Sequence, residues 1–124
     1  MSADESHTGR CLCGEVVFSF SGPPRFISNC WCESCRRAHG ATSVAWVGVL
    51  DDAFSCSSNS LTWYTSSAQS KRAFCATCGT RLLFKSDLWP GETHMVLACL
   101  DTPHNLKVTG ISFADEKPDW AGNF

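Results

Sequence analysis

Short apolar runs separated by turn-forming residues set the pattern of this chain, and no stretch sustains a helical apolar periodicity. Glu15–Phe20 reads as a strand, with Val16, Val17, Phe18 and Phe20 supplying apolar bulk before Ser21-Gly22-Pro23-Pro24 forces a turn. Arg25–Cys30 is extended. Ser34–His39 has room for one or two helical turns, stopped by Gly40. Ser43–Leu50 is apolar and β-branched, and Ala53–Cys56 is a short strand after the Asp51-Asp52 turn. Ser55–Ser60, with four serines, is a loop. Leu61–Thr65 and Lys71–Phe74 form a strand pair joined by the polar segment Ser66–Ser70, and Arg81–Lys85 is the next strand. After the Trp89-Pro90-Gly91 turn, His94–Leu100 and Lys107–Phe113 complete the set. The pattern predicts a mainly β, antiparallel fold.

Composition narrows the setting. At 124 residues, with 44% hydrophobic and 18% charged positions, the chain is sized for one globular domain. Residues 1–9 are expected to be a polar, flexible leader, and 10–124 the domain itself. The polar start, Met1–Thr8, lacks the apolar core of a secretory signal, and no apolar run is long enough to span a bilayer. A soluble, cytoplasmic protein with no membrane association is the expectation. The formal charge of −2 offers no basic face, which argues against a nucleic-acid partner.

Cysteine changes the picture most. Seven of the nine fall into three clusters: Cys11-Leu-Cys13, Cys30-Trp-Cys32-Glu-Ser-Cys35 and Cys75-Ala-Thr-Cys78. In a reducing compartment such clusters read as metal ligands. The two outer pairs supply four thiolates, enough to close a tetrahedral zinc site, and each pair is followed by a glycine, Gly14 and Gly79. Sharing one ion would cross-link segments more than 60 residues apart. A redox dithiol at Cys75–Cys78 is the rival, but such pairs open helices, and a strand follows here.

The central triplet supplies only three thiolates. Cys35-x-x-x-His39 is a workable ligand spacing, so the site is either a closed Cys3His centre or a zinc with one position open. Ionising all seven thiols onto two zinc ions would take the chain to a charge of about −5. Arg36 and Arg37 follow at once and lower thiol pKa values nearby.

These motifs resemble those of the glutathione-dependent formaldehyde-activating family, which includes centromere protein V. The likeness runs through Gly9-Arg10-Cys11-Leu12-Cys13-Gly14-Glu15-Val16 and Cys30-Trp31-Cys32-Glu33-Ser34-Cys35-Arg36-Arg37-Ala38-His39-Gly40. It continues in Arg72-Ala73-Phe74-Cys75-Ala76-Thr77-Cys78-Gly79-Thr80-Arg81-Leu82. Trp31 and Gly110 stand where that family often has histidine. The resemblance implies a zinc-stapled β-tent, as in Rab exchange factors and a class of methionine sulfoxide reductases. It implies a structural zinc at Cys11, Cys13, Cys75 and Cys78, and a more labile zinc with an open position at Cys30, Cys32 and Cys35. The implied activity is that of a carbon–sulfur lyase, similar to S-(hydroxymethyl)glutathione synthase, acting on glutathione or a related thiol adduct.

Under that expectation Cys30, Cys32 and Cys35 form the catalytic zinc site. Arg36 and Arg37 are candidate anchors for the carboxylates of a thiol such as glutathione, and Trp31 a candidate pocket wall. Lys71, Arg72 and Arg81 are reserve anchors. Trp46, Trp63, Trp89 and Phe74 read as core or loop anchors, Cys99 as a core residue and Cys56 as a bystander. The alternative is a non-catalytic zinc module that binds a protein partner, with a closed Cys3His site.

Overall fold

Alternation along the strands divides the molecule into two sheets. The computed structural model describes residues 5–102 and 104–123. Strands β1 (Ser6–Arg10), β2 (Val17–Ser21) and β5 (Phe54–Ser57) make a three-stranded antiparallel sheet in the order β1-β2-β5. The larger sheet has seven strands in the order β10-β3-β4-β9-β8-β7-β6. Its members are β3 (Phe26–Cys30), β4 (Val44–Leu50), β6 (Leu61–Ser67), β7 (Ser70–Cys75), β8 (Arg81–Ser86), β9 (Glu92–Val96) and β10 (Gly110–Ser112). Every pairing is antiparallel except β10 with β3. The single α-helix among the described residues, α1 (Glu33–His39), follows β3.

The core lies between the sheets. Phe18 and Phe20 face inward from β2 while Val17 is exposed, the period of two that one buried sheet face requires. They pack with Ile27, Val47, Val49, Leu83 and Met95, all at or below 7% exposure. Each such side chain contributes about 1.5–3 kcal/mol by leaving water. The opposite face of the large sheet carries a separate group around Cys30, Cys35, Val44, Trp46 and Val96. Strand β4 is therefore covered on both faces, which explains its unbroken apolar run. The polar strand β6 sits at the sheet edge, where serine and threonine discourage pairing with another chain.

Several expectations change in detail. Ser6–Gly9, placed by polarity in a leader of residues 1–9, belongs to strand β1, which pairs along its length with β2; residues 1–4 lie outside the described residues. The serine-rich segment expected as a loop contains most of β5, with Cys56 paired to Phe18. The β6–β7 turn is tighter than expected, since Ser67 already pairs with Ser70. The run His94–Leu100 divides: β9 ends at Val96, and Leu97–Cys99 is a turn of 3-10 helix closed by Leu100 N–H on the Leu97 carbonyl. Of Lys107–Phe113 only Gly110–Ser112 is a strand. No helix among the described residues is long and apolar enough to cross a membrane.

Candidate functional site

Two knuckles build the four-cysteine cluster. In the first, Cys11 N–H bonds the Val16 carbonyl and Gly14 N–H bonds the Cys11 carbonyl. In the second, Cys75 N–H bonds Thr80 and Gly79 N–H bonds Cys75. Gly14 and Gly79 have φ of 84° and 83°, a left-handed geometry that a side chain would strain. The four sulfurs lie within 4.8 Å of one another, with Cys11–Cys13 at 3.6 Å and Cys13–Cys75 at 3.8 Å. Thiolates around an ion with metal–sulfur bonds of about 2.3 Å form a tetrahedron with edges of about 3.8 Å. The sulfurs are thus spaced for a shared metal. The Val16 amide also donates to Cys11 Sγ at 3.3 Å, and the Thr80 hydroxyl lies 3.2 Å from Cys78 Sγ. The Thr80 hydroxyl first, then the backbone N–H groups of Thr80 and Cys13, draw the Cys78 thiol down to about 5. A backbone hydrogen bond at Glu15 lowers Cys13, but partial desolvation and the three neighbouring thiols together push it up to about 12. A metal ion would relieve that competition by letting all four ionise.

The triplet sits where β3 runs into α1. Cys30 closes the strand, Cys32 caps the helix and Cys35 lies in its first turn. Cys35 N–H donates to Cys32 Sγ at 3.3 Å, and the three sulfurs again fall within 4.8 Å. The thiols of Cys30 and Cys32, and after them Trp46 and Arg72, hold Cys35 down to about 2, while Cys30 is pushed far up by Cys32 and Cys35. One proton leaves the group readily and the rest are retained.

Arg72 tests whether a metal fits. Its Nη2 donates to Cys35 Sγ at 3.7 Å, its guanidinium lies 4.9 Å from the Phe84 ring centre, and its buried Nη1 has no partner. At 5% exposure, this cation needs a nearby negative charge. Three thiolates around a divalent ion carry one net negative charge, and the donor set therefore fits. His39 is not among the clustered ligands. Its ring meets Trp46 edge-on at 5.3 Å, and burial, then Arg72, pulls it down to about 4.

A cavity of about 570 Å³ opens over the triplet, with Cys30, Cys32 and Cys35 in its wall. Strand register builds its floor. Phe26, Gly48, His94, Phe84 and Arg72 lie opposite one another across β3, β4, β9, β8 and β7. Gly48 is the vacancy in this row: a Cβ there would meet the Phe26 ring at 2.0 Å. With that space, Phe26 reaches His94 edge-on at 4.8 Å; Trp89 joins at 5.4 Å from His94, and Trp46 at 5.7 Å from Phe84. His94 bonds Glu92 at 2.9 Å, yet burial outweighs that carboxylate and keeps its pKa below the usual histidine value.

The expected substrate contacts fall elsewhere. Arg37 points to solvent, 78% exposed and bonded to Glu33 at 2.7 Å; Arg36 lies 5.9 Å from the Trp120 ring. Neither lines the cavity. With Cys35 facing inward, the helical turn carries the next two residues away from it. Trp31 is buried outside the cavity under Lys117, because Cys30 and Cys32 face the cluster and alternation sends the residue between them the other way. Of the reserve arginines and lysine, Arg72 alone reaches the cavity. Trp46 and Trp89, read as anchors, line it too, whereas Trp63 and Phe74 do not. Phe26 and Phe84 carry no signal in the sequence, and His94 reads there as a lone histidine with no assigned role: each sits in an ordinary strand pattern, and the register alone joins them.

A family model described as "Glutathione-dependent formaldehyde-activating enzyme" matches residues 6–116. No curated protein matches the chain. A crystal structure of a Rhodobacter sphaeroides protein shares the fold, with a TM-score of 0.66 and 23% identity, over 85% of this chain and 99% of that one.

Proposed function

The chain belongs to the glutathione-dependent formaldehyde-activating family, and from that premise we propose a zinc-dependent enzyme that makes or breaks the carbon–sulfur bond of a thiol–aldehyde adduct. The observation that carries this reading is the set of three clustered thiols, without a fourth protein ligand among the described residues, in the wall of a large cavity. Cys11, Cys13, Cys75 and Cys78 would hold one zinc as a staple; Cys30, Cys32 and Cys35 would hold the second. Bound there, zinc supplies Lewis acidity and favours the thiolate form of a thiol nearby.

The chain's own groups do the rest. Arg72 places a buried positive charge beside Cys35, favouring anionic sulfur at this end of the cavity. The rings of Phe84 and Trp46 beside this pair lower the local dielectric, which strengthens that attraction. In the forward direction the thiol sulfur bonds to the carbonyl carbon, the carbonyl π pair moves to oxygen, and the thiol proton ends on that oxygen. Reversal releases thiol and aldehyde. The substrate thiol is small, glutathione or a relative, and the cytoplasm, where all nine cysteines stay free, is the compartment we assign.

The test is exchange between free thiol, free aldehyde and adduct, followed by NMR line shape with zinc-loaded protein. Acceleration over the protein-free rate that disappears in Cys35→Ser supports the reading, and equal rates with and without protein reject it. The rival zinc-binding module for a protein partner needs His39 as a ligand, and the edge-on packing of that ring on Trp46 weighs against it.

A further inference from the structure

We propose that the adduct handled at the three-cysteine site carries an aromatic or similarly flat apolar group, seated on the ring belt beside the reacting carbon. The inference rests on the thiol-adduct reading above and specifies its substrate class.

Size comes first. A cavity of about 570 Å³ falls within the range of sites that enclose drug-sized ligands of roughly 300–1,000 Å³. A one-carbon hydroxymethyl group, about the volume of two water molecules, leaves most of that space to the rest of the adduct. Wall chemistry points the same way. Phe26, Trp46, Phe84, Trp89 and His94 present ring faces and edges, with neighbouring centroids 4.8 to 6.1 Å apart. That spacing is what an added ring needs for offset or edge-on contact. The rim is apolar as well: Leu88, Ile111 and Phe113 are 61%, 67% and 47% exposed, and Phe113 is held there with a φ of 56°, a costly backbone state for a bulky residue.

Charge disfavours a purely peptidic occupant. Two charged side chains line the cavity, one of each sign. Arg72 faces Cys35, and Glu116 accepts the Glu33 amide at the start of α1. The one cation on these walls, Arg72, is shared with the triplet sulfurs, so the two carboxylates of glutathione exceed the counter-charge the cavity offers. The aromatic group can belong to the thiol or to the aldehyde, and the two are separated by the choice of probe.

The experiment is isothermal titration of the zinc-loaded protein with two matched pairs. Benzyl mercaptan against 2-mercaptoethanol asks whether the ring sits on the thiol. S-benzylglutathione against S-methylglutathione, both stable thioethers, asks whether it arrives with the carbonyl partner. At least tenfold tighter binding of a benzyl probe than of its small partner, in either pair, is the expected result. Trp89→Ala, at a site already 37% exposed, should cut that preference fivefold or more with zinc content unchanged. Equal affinities within both pairs, or a preference indifferent to Trp89→Ala, would overturn the proposal. Cys35→Ser separates this from the underlying reading. A benzyl preference that survives loss of the second zinc keeps the aromatic site and removes the metal-thiol reading. Thiol binding that needs the second zinc but shows no benzyl preference does the reverse.

Discussion

Replacing Cys13 by serine removes one ligand of the staple without disturbing the core, because Cys13 is exposed whereas Cys11 and Cys75 are 1% and 0% exposed. A metal shared by the four cysteines would tie together segments 62 residues apart, as measured between Cys13 and Cys75. Closing a loop of that length removes about 4 kcal/mol of chain entropy from the unfolded state, and this is the stability the substitution should forfeit. For a domain of this size that loss lowers Tm by roughly 15 °C. Thermal unfolding followed by circular dichroism, with and without a strong chelator, measures it. Chelator should bring the wild type down to the Cys13→Ser value and leave the variant itself nearly unmoved. Equal melting temperatures without chelator, or an equal chelator shift in both proteins, would refute the staple.

Other consequences are as direct. Gly48→Ala places a methyl group 2.0 Å from the Phe26 ring and should cost about 2 kcal/mol in urea unfolding; adding Phe26→Ala should recover part of it. His39→Ala should leave the zinc count at two per chain by atomic emission, since His39 lies outside the clustered ligands. His39 takes up its proton at about 4 in the folded chain and at 6.5 in the unfolded one. Its stabilising effect is therefore complete above pH 6.5 and is lost as the pH falls toward 4, on the order of 3 kcal/mol in all. His39→Gln should flatten the pH dependence of unfolding across that window. Arg72→Met should weaken zinc at the triplet about tenfold in a competitive chelator titration, with Arg72→Lys recovering part of the affinity, because the buried cation offsets the extra thiolate charge.

The two cysteine clusters could be read from the chain because their chemistry is local. Two or three ligands sit within one turn of backbone, and the glycine after each outer pair announces the geometry the turn requires. The mainly β architecture was legible for a similar reason, since period-two alternation is a property of single strands. The cavity was hidden because it is made by register. Phe26, His94, Phe84 and Arg72 come from four strands, and their alignment depends on how those strands slide against one another. Arg36 and Arg37 misled by proximity, for adjacency in sequence to Cys35 means divergence around a helix. Trp31, one residue past the end of β3, is likewise turned away from the sulfurs on either side of it. The parallel pairing of β10 with β3 follows a long excursion from β9 that carries no strand pattern of its own.

Native mass spectrometry of the purified chain, before and after a mild chelator and then a thiol, most directly tests two metal centres of unequal character. Two zinc ions per chain are predicted, one lost to the chelator and, in the untreated protein, retained with a bound thiol as a ternary complex. A single tight zinc, or two that resist the chelator and ignore the thiol, would contradict an open three-cysteine site.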